Sequence, residues 1–577
     1  MNKFPGVCLA FYYSGVVLYW IERHHPELFM LLEDLLSRKQ VEFLGGGFYD
    51  PILPLLPMAD KIGQIEMLTT YLRKHFGKRP QGCWLPAMAW EQSLVGPLSS
   101  SGMGFTFLED QQFAGAGQKP GKGGIFSPCI TEAQGKLITV FPTAEAMGKQ
   151  IQKRELTLAQ LLESLPNNSE NNILTLPITP ALHNEDFFLE LSGAESMIDF
   201  TLPSKAIKNL RGLKKVYFPE LWSEERSLGN GVHPRQFLAD HPEADGIYTK
   251  MIYVNTLINN QLRGDKTRKR TALEELWKAQ DSGIFRIGRE ASPGLFSSPV
   301  RKAAYSSLIE AEKITREKGK FTPSLSVFDF DLDGEGEYIF QDEKLNCYLK
   351  SRGAGIFELD YIPAAWNYLD TLHGEGRRCS FADWIAPAGT VPQSAGPGGI
   401  GGGRFCGSED YEVSEIERLR RRVSFRLPAK ENLPWGSIET VKTWQIKKSS
   451  LALEYVLRNT GSKSESFIFS TRLDLSFSGT GDDSLRIFSL KEGEKESIVL
   501  NGTVTVKDIR VLEFQDIKNE TIITLESSRS YDGQIFHVFS GVSGFEEYQS
   551  TCTMPFFPVS LEGGKTWKVS FLLKISS

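Results

Sequence analysis

The sequence predicts an α/β unit with a parallel sheet, followed by a helical block and then a β-sandwich. Short apolar runs alternate with helical patterns up to about residue 225, helical spacing without strands continues to about residue 318, and alternating strands follow. The 577 residues suffice for several compact units at roughly 150 residues per domain. We place three domains at 1–225, 226–320 and 321–577.

The first region contains six candidate strands and two amphipathic helical segments. The apolar runs are 7–11, 41–44, 82–85, 105–108, 137–141 and 173–176, and the helical segments are 28–36 and 65–75. This alternation is typical of a parallel sheet, open or closed into a barrel. Active sites of such proteins lie at the carboxyl ends of the strands.

The apolar run 4–21 imitates a signal peptide or a membrane anchor. It passes directly into the sequence Glu-Arg-His-His-Pro at 22–26 without a small-x-small cleavage site, and therefore predicts a buried strand and a helix. We expect no membrane partner.

Helical spacing and strand alternation divide the rest of the chain. The helical segments are 244–262, 268–280 and 298–317, and the clearest strands are 337–340, 450–457, 466–477, 503–511, 521–526 and 567–573.

Composition excludes several classes of function. The chain has 65 basic and 71 acidic residues, so no excess of positive charge predicts a nucleic-acid partner. Its seven cysteines include no Cys-x-x-Cys pair, which indicates a reducing, cytoplasmic location without a disulfide framework. The sequence leaves the oligomeric state open, a homo-oligomer included.

Two motifs carry a resemblance to a known family. The runs RKQVEFLGGGFYDPIL at 38–53 and GCWLPAMAW at 82–90 resemble glycoside hydrolase family 57, in particular its 4-α-glucanotransferases and amylase-like proteins. Segments 248–254, 279–281 and 329–361 resemble later motifs of the family in the same order. The resemblance implies a (β/α)7-type barrel with its first strand missing, a helical domain and a C-terminal β-sandwich. It implies an α-glucan or a maltooligosaccharide as the partner.

The family's reaction requires two carboxyl groups that this chain lacks at the matching positions. Retaining cleavage uses a nucleophile and an acid/base about 5 to 5.5 Å apart. The nucleophile of the family motif Trp-Leu-Thr-Glu-Arg-x-Trp corresponds here to Ala87, and its Arg to Met88. The acid/base strand matches 173–180, which contains no carboxylate. A family His corresponds to Thr249, and another is absent from 282–286, so the resemblance implies a silent member with no catalytic residue.

Four residues match positions that contact substrate in the family. Trp84 and Trp90 offer rings for stacking on a sugar, with burial in the core as the alternative. Asp50 stands where the family has Glu and is otherwise a turn residue before a proline. Asp281 matches a substrate-binding Asp and is otherwise a helix cap.

Two other functions stay open. An active transferase or hydrolase would need relocated carboxylates, for which Glu91, Glu109 and Asp110 are the candidates, with Glu185 and Asp186 close behind the acid/base stretch. A structural subunit would pair with an active relative and would show a large apolar surface patch.

An acidic loop is the candidate metal site. Asp329, Asp331, Asp333 and Glu337 place oxygen ligands around a Gly, an arrangement that calcium loops use. The alternative is a turn that binds nothing and joins two strands. No other cofactor is expected.

Overall fold

A computed structural model describes most of the chain. The described residues are 4–119, 126–153, 155–164, 171–178, 185–193, 198–220, 233–286, 294–316, 321–372, 379–391, 395–396, 399–400, 402–430, 434–491, 494–542 and 545–577. They form two compact units. The N-terminal unit comprises Met1–Asp240 with Gln280–Ile287, and the C-terminal unit comprises His241–Ala279 with Gly288–Ser577. The division into three domains stays a prediction.

The N-terminal unit contains short parallel strands and ten helices within the described residues. Its strands are β1 (Leu9–Phe11), β2 (Val41–Phe43), β3 (Gly82–Cys83), β4 (Phe105–Glu109), β5 (Cys129–Ala133) and β6 (Lys136–Thr143). Its helices are α1 (Gly15–His24), α2 (Pro26–Ser37), α3 (Met58–Phe76), α4 (Val95–Ser100), α5 (Asp110–Gly115), α6 (Glu145–Gln152), α7 (Leu158–Ser164), α8 (Glu185–Gly193), α9 (Pro203–Asn209) and α10 (Pro234–Asp240). Short 3-10 helices span Leu53–Leu55, Pro86–Met88, Gln92–Leu94 and Ser282–Phe285.

The predicted strands lie side by side in parallel. β1 pairs with β2, and β3, β4 and β6 pair in that order. Single parallel bridges join Gly45 to Cys83 and Thr143 to Thr175, so the runs at 41–44, 82–85 and 173–176 belong to the same parallel arrangement. Among the strands described in this unit, β5 is the antiparallel one and pairs with β6. The α/β prediction is confirmed in this form, and closure into a (β/α)7-type barrel stays a prediction.

The apolar start of the chain forms a strand and a helix, as predicted, but the strand β1 is only partly buried. Ser14 caps α1 because its hydroxyl accepts a hydrogen bond from the Val17 backbone. Gly15 begins the helix against the Phe48 ring, where an added Cβ would lie 2.2 Å from a ring carbon. No helix among the described residues is long and apolar enough to cross a bilayer.

The C-terminal unit begins with helices and continues with antiparallel strands. The helices are α11 (Pro242–Gln261), α12 (Lys266–Lys278) and α13 (Ser298–Arg316), and a 3-10 helix spans Ile362–Ala364. The first strands are β7 (Ser324–Phe328), β8 (Glu337–Gln341), β9 (Leu345–Leu349), β10 (Ile356–Tyr361), β11 (Trp366–Asn367), β12 (Ala382–Pro387), β13 (Ala395–Gly396), β14 (Gly399–Ile400), β15 (Arg404–Phe405), β16 (Glu412–Glu417), β17 (Arg422–Leu427) and β18 (Ile438–Lys447). The remaining strands are β19 (Ser450–Asn459), β20 (Glu465–Leu475), β21 (Leu485–Lys491), β22 (Glu494–Ile498), β23 (Val504–Asp516), β24 (Thr521–Val542), β25 (Phe545–Leu561) and β26 (Thr566–Ser576).

Two sheets account for most of these strands. β7 to β11 form a five-stranded sheet in the order β11-β10-β9-β8-β7, and a thirteen-stranded sheet contains β12 and most strands that follow. Alternate residues of β18 and β19 are buried, which explains their alternating sequences. The predicted β-rich region is confirmed, and the finer description as a β-sandwich stays a prediction.

A buried ionic cluster joins helix α11 to strand β10. The Lys250 ammonium lies 2.6 Å from an Asp360 carboxylate oxygen and 3.6 Å from a Glu358 oxygen, and all three side chains are fully buried. Charges removed from water in this way persist only when they are paired.

None of the seven cysteines, all of which lie in described segments, forms a disulfide.

Candidate functional site

Three side chains meet where β1, β2 and β3 end. Tyr12 follows β1, Asp50 follows β2, and Trp84 follows β3. The Tyr12 hydroxyl donates a hydrogen bond to Asp50 Oδ1 over 2.6 Å, and the Tyr12 and Trp84 rings stack with centroids 6.3 Å apart. All three are only partly buried. The carboxyl edge of the parallel strands therefore presents two rings and a carboxylate together.

Asp50 is held in an unusual environment. Its backbone has a φ of 54°, a left-handed conformation that non-glycine residues adopt rarely. The Ser282 hydroxyl donates to Asp50 Oδ2 over 3.4 Å, and the Ser282 backbone donates to the Asp50 carbonyl over 3.2 Å. Burial raises the pKa of Asp50 to about 6, although the hydrogen bond from Tyr12 opposes the rise.

Asp281 lies beside Asp50. A backbone bridge pairs it with Pro51, and its charge contributes to the raised pKa of the Asp50 carboxyl, which the guanidinium of Arg286 counteracts. Asp281 also caps the 3-10 helix Ser282–Phe285, because its Oδ1 accepts from the Gly283 backbone over 2.7 Å. Its side chain is exposed. Asp281 can therefore cap the 3-10 helix and still be accessible for the predicted contact with a substrate.

The glycine run before Asp50 makes room for this cluster. A Cβ added at Gly46 would lie 2.6 Å from Cε2 of Tyr12 and 3.2 Å from the Trp84 carbonyl oxygen. A side chain at this position would displace the tyrosine ring. Gly46 thus belongs to the site although it provides no functional group.

The stretch that the sequence matches to the family's nucleophile motif forms a strained turn. Ala87 and Met88 have φ values of 54° and 50° within Pro86–Met88. Left-handed conformations cost about 1 to 2 kcal/mol for each L-residue and concentrate at functional sites. Gln112 stabilises the turn because its Nε2 donates to the Met88 carbonyl over 3.0 Å. The partly exposed Ala87 presents only a methyl group here.

Trp90 lies in the core. Its side chain is fully buried, and its ring packs edge-on against Phe218 with centroids 6.3 Å apart. The structure therefore brings Trp84, Asp50 and Asp281 together and separates Trp90 from solvent.

Two of the proposed replacement carboxylates, Glu91 and Glu109, already have partners. Glu91 is buried, pairs with Arg235 over 3.4 Å and accepts from the Ser93 hydroxyl over 3.1 Å. Glu109 accepts from the Gln112 backbone in a capping box at the start of α5. Burial raises the pKa of the partly exposed Asp110.

In the stretch matched to the acid/base strand, Thr175 forms a parallel bridge with Thr143. Thr249, which was matched to a family histidine, is buried. Residues 179–180 and the side chains of Glu185 and Asp186 lie outside what the structure describes. Thr249 lies within α11, and its hydroxyl donates to the Gly246 carbonyl over 3.2 Å.

The acidic loop gathers three carboxylates. Oxygens of Asp329, Asp331 and Asp333 lie within 4.8 Å of one another, close enough for a shared cation. Lys350 already supplies a positive charge to Asp331. Glu337 accepts from the Phe330 backbone over 2.7 Å, and burial raises the pKa of its carboxyl to about 7. Calcium binding by these four residues stays a prediction.

Tyr12 is the residue that sequence reasoning missed. It lies directly after a predicted strand, at the edge where functional side chains are expected. Its position directly after the strand could have identified Tyr12 as a candidate site residue.

The N-terminal unit is thus an α/β protein with an aromatic and acidic cluster at the carboxyl ends of parallel strands. Comparisons with known proteins show what the chain is similar to. The model of glycosyl hydrolase family 57 matches residues 1–165, and that of the alpha-amylase/4-alpha-glucanotransferase C-terminal region matches residues 329–396. The resemblance to family 57 is confirmed.

Individual relatives are similar at low identity. Alpha-amylase 1 of Dictyoglomus thermophilum is 24% identical over 98% of this chain and 93% of its own length. The 4-alpha-glucanotransferase of Thermococcus kodakarensis is 27% identical over 69% of this chain and 64% of its own length. The crystal structure of the 4-alpha-glucanotransferase from Thermococcus litoralis superposes with a TM-score of 0.80 at 19% identity, covering 99% of this chain and 94% of that one. This last likeness establishes a shared fold.

Proposed function

We propose that the protein binds α-glucans at the strand-end cluster without cleaving them. The observation that carries the proposal is Ala87. The sequence motif matches Ala87 to the family's nucleophile, and a methyl group cannot attack an anomeric carbon. Ala87 lies in a strained turn three residues after Trp84.

The cluster has the chemistry of a sugar site. Trp84 and Tyr12 are partly exposed rings that suit the apolar face of a pyranose, and Asp50 and Asp281 supply carboxylate acceptors for its hydroxyls. The named relatives are amylases and glucanotransferases, which supports a glucan as the ligand.

Calorimetry and product analysis with maltoheptaose test the proposal in one sample. We expect binding without new oligosaccharides. Trp84→Ala should weaken binding about tenfold or more because it removes the stacking ring. Trp20→Ala is the matched control: Trp20 is a 52% exposed tryptophan of the same unit that packs against His24 and His25, and its loss should leave binding unchanged. Equal effects of the two changes would contradict the proposal.

One observation favours a second candidate, an active enzyme with relocated carboxylates. Asp50 has a raised pKa of about 6, as a general acid requires, and Asp281 lies near it. Turnover of maltoheptaose that is lost in Asp50→Asn or Asp281→Asn would establish this candidate in place of the silent one.

The structural-subunit candidate is favoured by apolar residues on α1 and α2. Val16, Tyr19, Trp20 and Met30 are 44% to 69% exposed. Light scattering of the protein mixed with an active glucanotransferase of the family would detect such pairing, which Trp20→Glu should abolish. Absence of a complex would reject this candidate.

A further inference from the structure

The thirteen-stranded sheet has a break in the middle of β24. Residues 522–527 of β24 pair with β26, and residues 532–542 pair with β25. On the other edge, β23 loses register between Ile509 and Val511. Residues 528–530 therefore lie between two ladders and belong to neither.

A pocket of about 580 Å³ lies at this break. Its lining includes Arg510 from β23, Ser528 and Arg529 from the unpaired segment, Phe557 from β25, and Trp567 and Lys568 from β26. Its volume falls within the range of small-molecule sites.

The charges of this pocket are all of one sign. Arg510, Arg529 and Lys568 line it without an acidic residue. Within the described part of the chain, none of these three side chains is within ion-pair distance of a carboxylate. The whole chain has a net charge of −6. A pocket lined by three cations that have no carboxylate partner among the described residues therefore differs in sign from the chain as a whole. Like charges held together repel each other, and an anion would relieve the repulsion.

Contacts within the pocket position Arg529 and Trp567. Arg529 Nε donates to the Lys568 carbonyl over 2.7 Å, and its guanidinium lies 5.4 Å from the centre of the Trp567 ring. The Trp567 ring is fixed by Phe557 and Phe469, whose ring centroids lie 5.6 and 5.7 Å away. A rigid apolar wall therefore stands beside a cationic group.

We infer that this pocket binds a sugar phosphate. Guanidinium groups match the paired oxygens of a phosphate monoester, and Ser528 and Trp567 suit the polar edges and apolar face of a pyranose. The ligand is either a free hexose phosphate or the phosphorylated end of a glucan. The pocket lies in the C-terminal unit, so the inference does not depend on the proposed function.

Calorimetry of the full chain tests the inference with glucose 6-phosphate, maltoheptaose 6-phosphate, glucose and inorganic phosphate. We expect one or both sugar phosphates to bind at least about tenfold more tightly than glucose and inorganic phosphate. The two sugar phosphates distinguish the free from the polymeric source. Equal affinity for inorganic phosphate, equal affinity for glucose, or no binding of either sugar phosphate would overturn the inference.

Variants locate the binding. Arg510→Gln should weaken sugar-phosphate binding about tenfold, because it removes a charge-assisted hydrogen-bond donor. Arg418→Gln is the matched control, since Arg418 is an exposed arginine of the same unit outside the pocket lining. Trp567→Phe keeps an aromatic wall and should weaken binding less than Arg510→Gln. Unchanged affinity in Arg510→Gln would overturn the assignment to this pocket.

Discussion

At the scale of single residues, the turn at Ala87 has a left-handed backbone conformation that costs a non-glycine residue free energy. Glycine adopts its φ of 54° without steric cost, so Ala87→Gly should stabilise the protein by up to about 1 kcal/mol after glycine's own entropic cost. Ala89 has an ordinary φ of −68°, and Ala89→Gly should destabilise by a similar amount. Thermal unfolding of the two variants measures both changes. The same sign for both would show that the turn is not strained.

Asp50 provides a prediction about pH. Its pKa is about 6 in the folded protein against an ordinary value of 3.8, so the folded state holds this proton more tightly than the unfolded state. Its contribution to stability is full below about pH 4 and is lost as the pH rises through about 6. The free energy of unfolding of the wild type minus that of Asp50→Asn should therefore fall between pH 4 and 7. Urea denaturation across this range measures it, and a constant or rising difference would contradict the assignment.

At the scale of elements, the attachment of α11 to β10 depends on a buried charge. Lys250→Met leaves Asp360 and Glu358 buried without their cation, which should cost about 3 to 5 kcal/mol. The double change Lys250→Met with Asp360→Asn should lose less than the two single changes added together. Urea denaturation measures these differences, and the exposed Lys266→Met serves as a control expected to stay within about 0.5 kcal/mol. A loss as small as the control's would show that the cluster is solvated.

Strand β24 shows the limit of local sequence patterns. The alternation of residues 521–526 predicts a strand that ends there, whereas the strand continues to Val542. The predicted part pairs with β26, whereas the continuation from residue 532 pairs with β25, and such non-local pairing leaves no local periodicity. The sequence did not predict the pocket at the break either, because its lining residues come from four strands that are brought together by non-local pairing.

At the scale of the whole molecule, the sequence predicts the parallel N-terminal arrangement, the helices and the β-rich region well, because burial imposes the periodicities from which they were inferred. It placed Trp84, Asp50 and Asp281 at one site through motifs rather than geometry. It could not separate Trp84 from Trp90, because both tryptophans belong to the same motif and only packing decides which is buried. Tyr12 acquires its role from a contact with Asp50, 38 residues away in sequence.

The return of Gln280–Ile287 to the N-terminal unit has a consequence for synthesis. Gln280 is fully buried, accepts from Gln64 over 2.8 Å and donates to Asp60 over 2.7 Å. The Asp60 and Gln64 side chains of α3 therefore lack this hydrogen-bond partner until more than two hundred further residues have been synthesised. Helices α11 and α12 are among those residues. Until then the nascent unit lacks Asp281 and Ser282, so the N-terminal unit is completed only after the first two helices of the C-terminal unit have been made.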